Sequence, residues 1–124
     1  MGQREIIITK TFNFGAAHNL TSYHGKCEEL HGHNYKLDVS IKGIPDKEGM
    51  VIDYKKIKAV VEEHVIDKLD HTYLNDVLGF SPTSENILLW VEEQIKNKLS
   101  SDNYNLYRLE LWETENNKAT IYVN

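Results

Sequence analysis

A chain of 124 residues has room for one domain, residues 1–124, with a core of useful size. Lys+Arg 14 against Asp+Glu 19 gives a net charge of −5, which argues against nucleic acid as a main partner, because phosphate backbones demand clustered Lys and Arg. No apolar run nears the roughly 20 residues of a membrane span, no signal-peptide core precedes the first strand, and the single cysteine, Cys27, cannot close an internal disulfide, so a reducing cytoplasm is the expected compartment.

From Ile6 to Phe14 the chain is rich in Ile, Thr and Phe and reads as a strand. Ile6, Ile8, Phe12 and Phe14 share one parity, which continues through Ala16 to His18. A second strand runs from about His31 to Ile41. Tyr35, Leu37, Val39 and Ile41 alternate with Asn34, Lys36, Asp38 and Ser40, the pattern of a sheet wet on one face and buried on the other. Gly43, Pro45 and Gly49 break that pattern. Asp53 then offers an N-cap to a helix carrying Ile57, Val60, Val61, Val65 and Leu69. A second helix begins near Ser84, with Leu88, Val91, Ile95 and Leu99 as its apolar stripe. Strand resumes with Tyr107, Leu109 and Leu111 alternating against Arg108 and Glu110, which puts Glu113 on the apolar parity. A turn through Glu115–Lys118 leads to a last strand at Ala119–Val123. The order ββααββ predicts an α+β fold, a four-stranded antiparallel sheet covered on one face by two helices.

Histidines two apart on a strand point the same way, so His31 and His33 can converge on one ion. His18 has the inward parity of the first strand, at the end that meets the start of the second. Two strands thus deliver three imidazoles to one edge of the buried face, and three nitrogens on zinc leave a fourth position open, the catalytic arrangement. Cys27 is an alternative fourth ligand, which would close the site. His24 and His64 read as surface or loop residues. A carboxylate on an apolar face is costly without a partner, so Glu113 either reaches solvent at a strand end or holds something. Asp70–His71 is either a polar pair at a helix end or part of the chemistry.

The stretches FNFGAAH, CEELHGHNY, LDHTYLN, PTSEN and LWETENN, running from Phe12 to Asn117, together resemble the 6-pyruvoyl-tetrahydropterin synthase and 6-carboxytetrahydropterin synthase family. The resemblance implies the tunnelling fold, in which ββααββ subunits join their sheets into an oligomeric barrel, with a hexamer favoured and active sites at subunit interfaces. It implies a zinc-dependent lyase acting on a small-molecule pterin, 7,8-dihydroneopterin triphosphate, with loss of triphosphate. Carried over by position, His18, His31 and His33 are zinc ligands, Cys27 is the catalytic thiol, Asp70 and His71 move protons, and Glu113 grips the pterin. Glu85 is either a second pterin contact or a first-turn acid favoured by the helix dipole. Lys10, Lys26 and Lys36 are candidates for the triphosphate by location.

The Cys-x-x-x-His spacing from Cys27 to His31 is similar to that of the bacterial carboxy enzymes of queuosine biosynthesis. Glu28 resembles the glutamate of a folate branch that releases 6-hydroxymethyl-7,8-dihydropterin, so a possible second acid or base stands beside the thiol. The favoured expectation is the 6-carboxy-5,6,7,8-tetrahydropterin synthase; the folate-branch activity and a zinc-stabilised binding module without turnover are the alternatives.

Overall fold

The computed structural model describes residues 3–18 and 31–123, with His31 described in its backbone alone. Cys27 and Glu28, with His24 and Lys26, lie outside the described residues.

β1 (Ile6–His18) and β2 (His31–Gly43) pair antiparallel along their whole lengths, with His18 opposite His31, Ala16 opposite His33 and Phe14 opposite Tyr35. β4 (Tyr104–Thr114) joins the far side of β2, and β5 (Asn117–Tyr122) joins β4, both antiparallel. These are the four expected strands. A fifth, β3 (Thr72–Tyr73), pairs parallel with Ala16 and Ala17 of β1, giving the order β3-β1-β2-β4-β5. Two residues of strand carry no periodicity to read, and only the partner strand reveals them.

α1 (Tyr54–Val61) starts where Asp53 accepts a hydrogen bond from the Lys55 amide at 2.8 Å. It continues without a break into a π-helical stretch at Glu62–Ile66 and a final turn, α2 (Asp67–Leu69). The reason lies in the apolar spacing. Ile57, Val61, Val65 and Leu69 are all fully buried, and steps of four would drift by about 40° each around a regular helix of 3.6 residues per turn. The wider π turn takes up that drift and keeps the four on one line. His64 falls inside this stretch, half-buried, rather than in a loop. After a short α3 (Leu74–Val77), α4 (Ser84–Ile95) is capped by the Thr83 hydroxyl, which accepts from the Asn86 amide at 3.1 Å. Its apolar stripe outlasts it: Leu99 is fully buried beyond a 3-10 turn at Lys96–Lys98.

One core joins the two helical units to the inward side chains of β1, β2 and β4. The opposite face of the sheet is open and polar. Thr11 donates to Asp38 at 2.6 Å, Thr9 and Ser40 share a hydrogen bond of 2.7 Å, and Glu110 lies between Arg108 and Lys118.

β4 departs from simple alternation. Leu106 pairs with Ile41 but Arg108 pairs with Ser40, so Tyr107 is an extra residue opposite β2. Tyr104 and Leu106 are buried before it, Leu109 and Leu111 after it: the covered parity changes from even to odd. Tyr107 itself stands on the open face, with the Lys42 ammonium 4.7 Å from its ring centroid and Tyr122 edge-on at 5.6 Å. The expected alternation therefore holds from Leu109 onward and fails at Tyr107, because a bulge adds a residue without adding a pairing partner. No helix among the described residues is long and apolar enough to cross a membrane.

Candidate active site

At the end of the covered face, where β1 runs out and β2 begins, His18 is buried and His33 half-buried. Their ring centroids lie 4.9 Å apart. Both Nε2 atoms face one carboxylate oxygen: Oε1 of Glu113 is 3.5 Å from His18 and 3.2 Å from His33. Ligand atoms of the three residues all lie within 4.8 Å of one another, a spacing that can hold a metal ion. His31 is opposite His18 in the strand register, the position from which the expected third imidazole comes.

Two irregularities of β4 bring Glu113 there. The phase change at Tyr107 gives it the covered parity. A second irregularity follows, since Trp112 pairs with Lys118 but Thr114 with Asn117, leaving Glu113 as an extra residue against β5. Bulges re-aim side chains in this way, often beside active sites. The other carboxylate oxygen, Oε2, accepts from the Ser84 hydroxyl at 3.4 Å, at the start of α4. Glu85, the next residue, is exposed in the first turn of that helix and is not part of the cluster.

The donor set suits a borderline-soft cation, imidazole nitrogens with a carboxylate at hand. It also has the outer support that metal-ligating histidines require. Nδ1 of His18 is 2.8 Å from the Tyr35 hydroxyl. Burial, and then the nearby Glu113 charge, push the Tyr35 phenol far above its ordinary range, so it stays protonated. Tyr35 was legible as a core residue of β2 from its parity; nothing in the sequence tied its hydroxyl to His18.

Asp70 and His71 follow α2 at the neighbouring edge. Asp70 Oδ1 accepts from the Gly15 amide at 2.9 Å and Oδ2 is 3.0 Å from Nδ1 of His71. The His71 amide in turn donates to the Gly15 carbonyl at 2.6 Å. This clamp holds His71 at φ 59, a left-handed backbone that non-glycine residues adopt at a cost. Its imidazole is 88 % exposed and lines an open cleft of about 520 Å³ together with His33, Asn34 and Gly32. Asp70 and His71 are thus in contact, and His71 opens onto the same cleft as one of the clustered imidazoles. Lys36 stands on the open face instead, its ammonium 3.9 Å from the Trp112 ring centroid. Lys10 lies 5.8 Å from the Phe12 ring centroid.

Residues 7–124 match the family model described as 6-pyruvoyl tetrahydropterin synthase. The chain belongs to the 6-pyruvoyl tetrahydropterin synthase family. A 6-carboxy-5,6,7,8-tetrahydropterin synthase of Synechocystis is 45% identical over 91 residues, 68% of this chain and 70% of that protein. A dihydroneopterin monophosphate aldolase of Pyrococcus furiosus is 44% identical over 101 residues, 82% of this chain and 83% of that one. The 6-pyruvoyl tetrahydropterin synthase of Caenorhabditis elegans superposes with a TM-score of 0.85 at 30% identity, over 100% of both chains. The architecture is the tunnelling fold of this pyruvoyl tetrahydropterin synthase family, with the sheet of a single chain left open at both edges.

Proposed function

We propose that the protein is a zinc-dependent 6-carboxy-5,6,7,8-tetrahydropterin synthase, acting on 7,8-dihydroneopterin triphosphate with loss of triphosphate. The observation that carries this reading is the convergence of His18 and His33 on one point beside Glu113, with His31 in register across from His18. In this assignment the three histidines hold zinc. When bound, the ion supplies Lewis-acid stabilisation of negative charge on the substrate's side chain.

The chain's own groups do the rest. Glu113 accepts the exocyclic amine and the adjacent ring N–H of the pterin, one carboxylate for two parallel donors. Cys27, four residues ahead of His31 in the sequence, acts as base. His71, held through Nδ1 by Asp70, presents its other nitrogen to the cleft to exchange protons. Among the described residues the fold leaves β5 and most of β1 as unpaired edges, which natural sheets avoid. The protomers accordingly join edge to edge in a homo-oligomer, a hexamer in the favoured form, with active sites at subunit boundaries.

The Pyrococcus furiosus relative named as an aldolase supports a second reading, release of 6-hydroxymethyl-7,8-dihydropterin with Glu28 as acid or base. Product analysis by mass spectrometry separates the two. With dihydroneopterin triphosphate, Cys27→Ala is expected to abolish carboxypterin, since the chain has no other thiol. If Glu28 carries its own chemistry, Cys27→Ala still releases the hydroxymethyl product and Glu28→Ala loses that product alone. Carboxypterin formation at the wild-type rate in Cys27→Ala removes the thiol from the mechanism. No consumption of dihydroneopterin triphosphate by wild-type protein returns the chain to a binding module.

A further inference from the structure

The proposed chemistry gives the buried hydroxyl of Tyr35 no part in the reaction itself. The residue is 1 % exposed. Its ring stacks on Phe14 at 4.9 Å and 10° and meets His33 edge-on at 5.8 Å. A phenylalanine would meet every one of those packing demands. The oxygen is therefore an added cost in an apolar core unless it is hydrogen-bonded, and the partner it has is Nδ1 of His18 at 2.8 Å.

We propose that Tyr35 is a positioning residue for the metal centre: its hydroxyl accepts the Nδ1–H of His18 and so commits Nε2 to the ion. The inference rests on the metal reading above and extends it to a residue outside the ligand set. The geometry suits the task from both sides of metal binding. A phenol hydroxyl is donor and acceptor. With a proton on Nε2 directed at Glu113, 3.5 Å away, the hydroxyl donates to Nδ1. With Nε2 on a metal, the proton moves to Nδ1 and the hydroxyl accepts. One arrangement serves both tautomers, so the His18 ring need not turn when the ion arrives. Phe14 and the strand pairing of Phe14 with Tyr35 hold the phenol in place.

Tyr35→Phe keeps the stacked ring and removes one oxygen. Zinc affinity of the full-length variant, measured by competition with a chromophoric chelator, is expected to fall roughly 10–100-fold, the usual effect of losing an outer partner of a metal-bound histidine. The metal-free far-UV circular dichroism spectrum is expected to match wild type. Wild-type affinity in the folded variant overturns the inference and leaves the metal site standing. Wild-type protein that takes up no zinc overturns the metal reading, and this inference with it. A measurement independent of the variant is 15N NMR of the imidazoles in zinc-loaded wild type: a proton on Nδ1 of His18 is expected, and metal on Nδ1 overturns the assignment.

Discussion

Two glutamates three residues apart on β4 live in opposite settings. Glu110 is on the open face, where the Lys118 ammonium at 2.8 Å, with Arg108 and the Thr120 hydroxyl, holds its carboxyl below the ordinary range against the opposing effect of burial. Its folded-state pKa is lower than its unfolded one, so it contributes stability above the unfolded carboxylate range and loses that contribution as pH falls through the folded value. Glu110→Gln is expected to cost about 1–2 kcal/mol near neutral pH and to flatten the acid limb of a stability–pH curve from denaturant titrations. An unchanged limb would show that Glu110 plays no part in acid unfolding. Glu113 faces the imidazoles instead. Glu113→Gln keeps the shape but turns an acceptor into a donor, and is expected to lower kcat/KM by roughly 10–100-fold, the worth of a hydrogen bond to a charged group. Retained zinc in that variant assigns Glu113 to the pterin; lost zinc makes it a metal ligand. The parity of His18, His33 and Glu113 was legible because alternation is local. The meeting of the two histidines followed from pairing β1 with β2, but that of Glu113 with them did not, because it depends on where β4 lies beside β2 and on a bulge that sequence does not announce.

At the scale of elements, the caps and stripes were the most legible features: Asp53 begins α1 and the 57–69 stripe is buried as its spacing demands. What escaped is whatever one element imposes on another. β3 exists only as a partner to β1, the π turn only because four apolar residues must face one core, and the Tyr107 bulge only against β2. Gly43 shows the same dependence. A Cβ there would overlap the Asn103 carbonyl oxygen and lie 2.6 Å from the Tyr104 Cβ, where β2 ends beside the start of β4. Gly43→Ala is expected to destabilise by about 1–3 kcal/mol, the usual cost of overpacking, and thermal unfolding measures it. A melting temperature within a degree of wild type would mean that the strand end shifts freely.

For the whole molecule, the covered face is dry and the opposite face is charged, so association cannot come from burying the open face against another apolar surface. Among the described residues, the exposed backbone of β5 and of β1 before Gly15 is what remains to be satisfied. Sedimentation velocity at micromolar concentration is expected to show an oligomer, and an active monomer would remove the subunit-boundary site. The extra residue at Tyr107 also governs how the chain can vary over evolutionary time. Without it, Leu106 and Arg108 would stand opposite Ile41 and Ser40 in unbroken alternation, with Leu109, Leu111 and Glu113 still on the covered side. Loss of a residue between Leu109 and Glu113 would instead turn the glutamate away from the histidines. The strand can shed a residue at the bulge and keep its faces; beyond the bulge, what is inherited is the count.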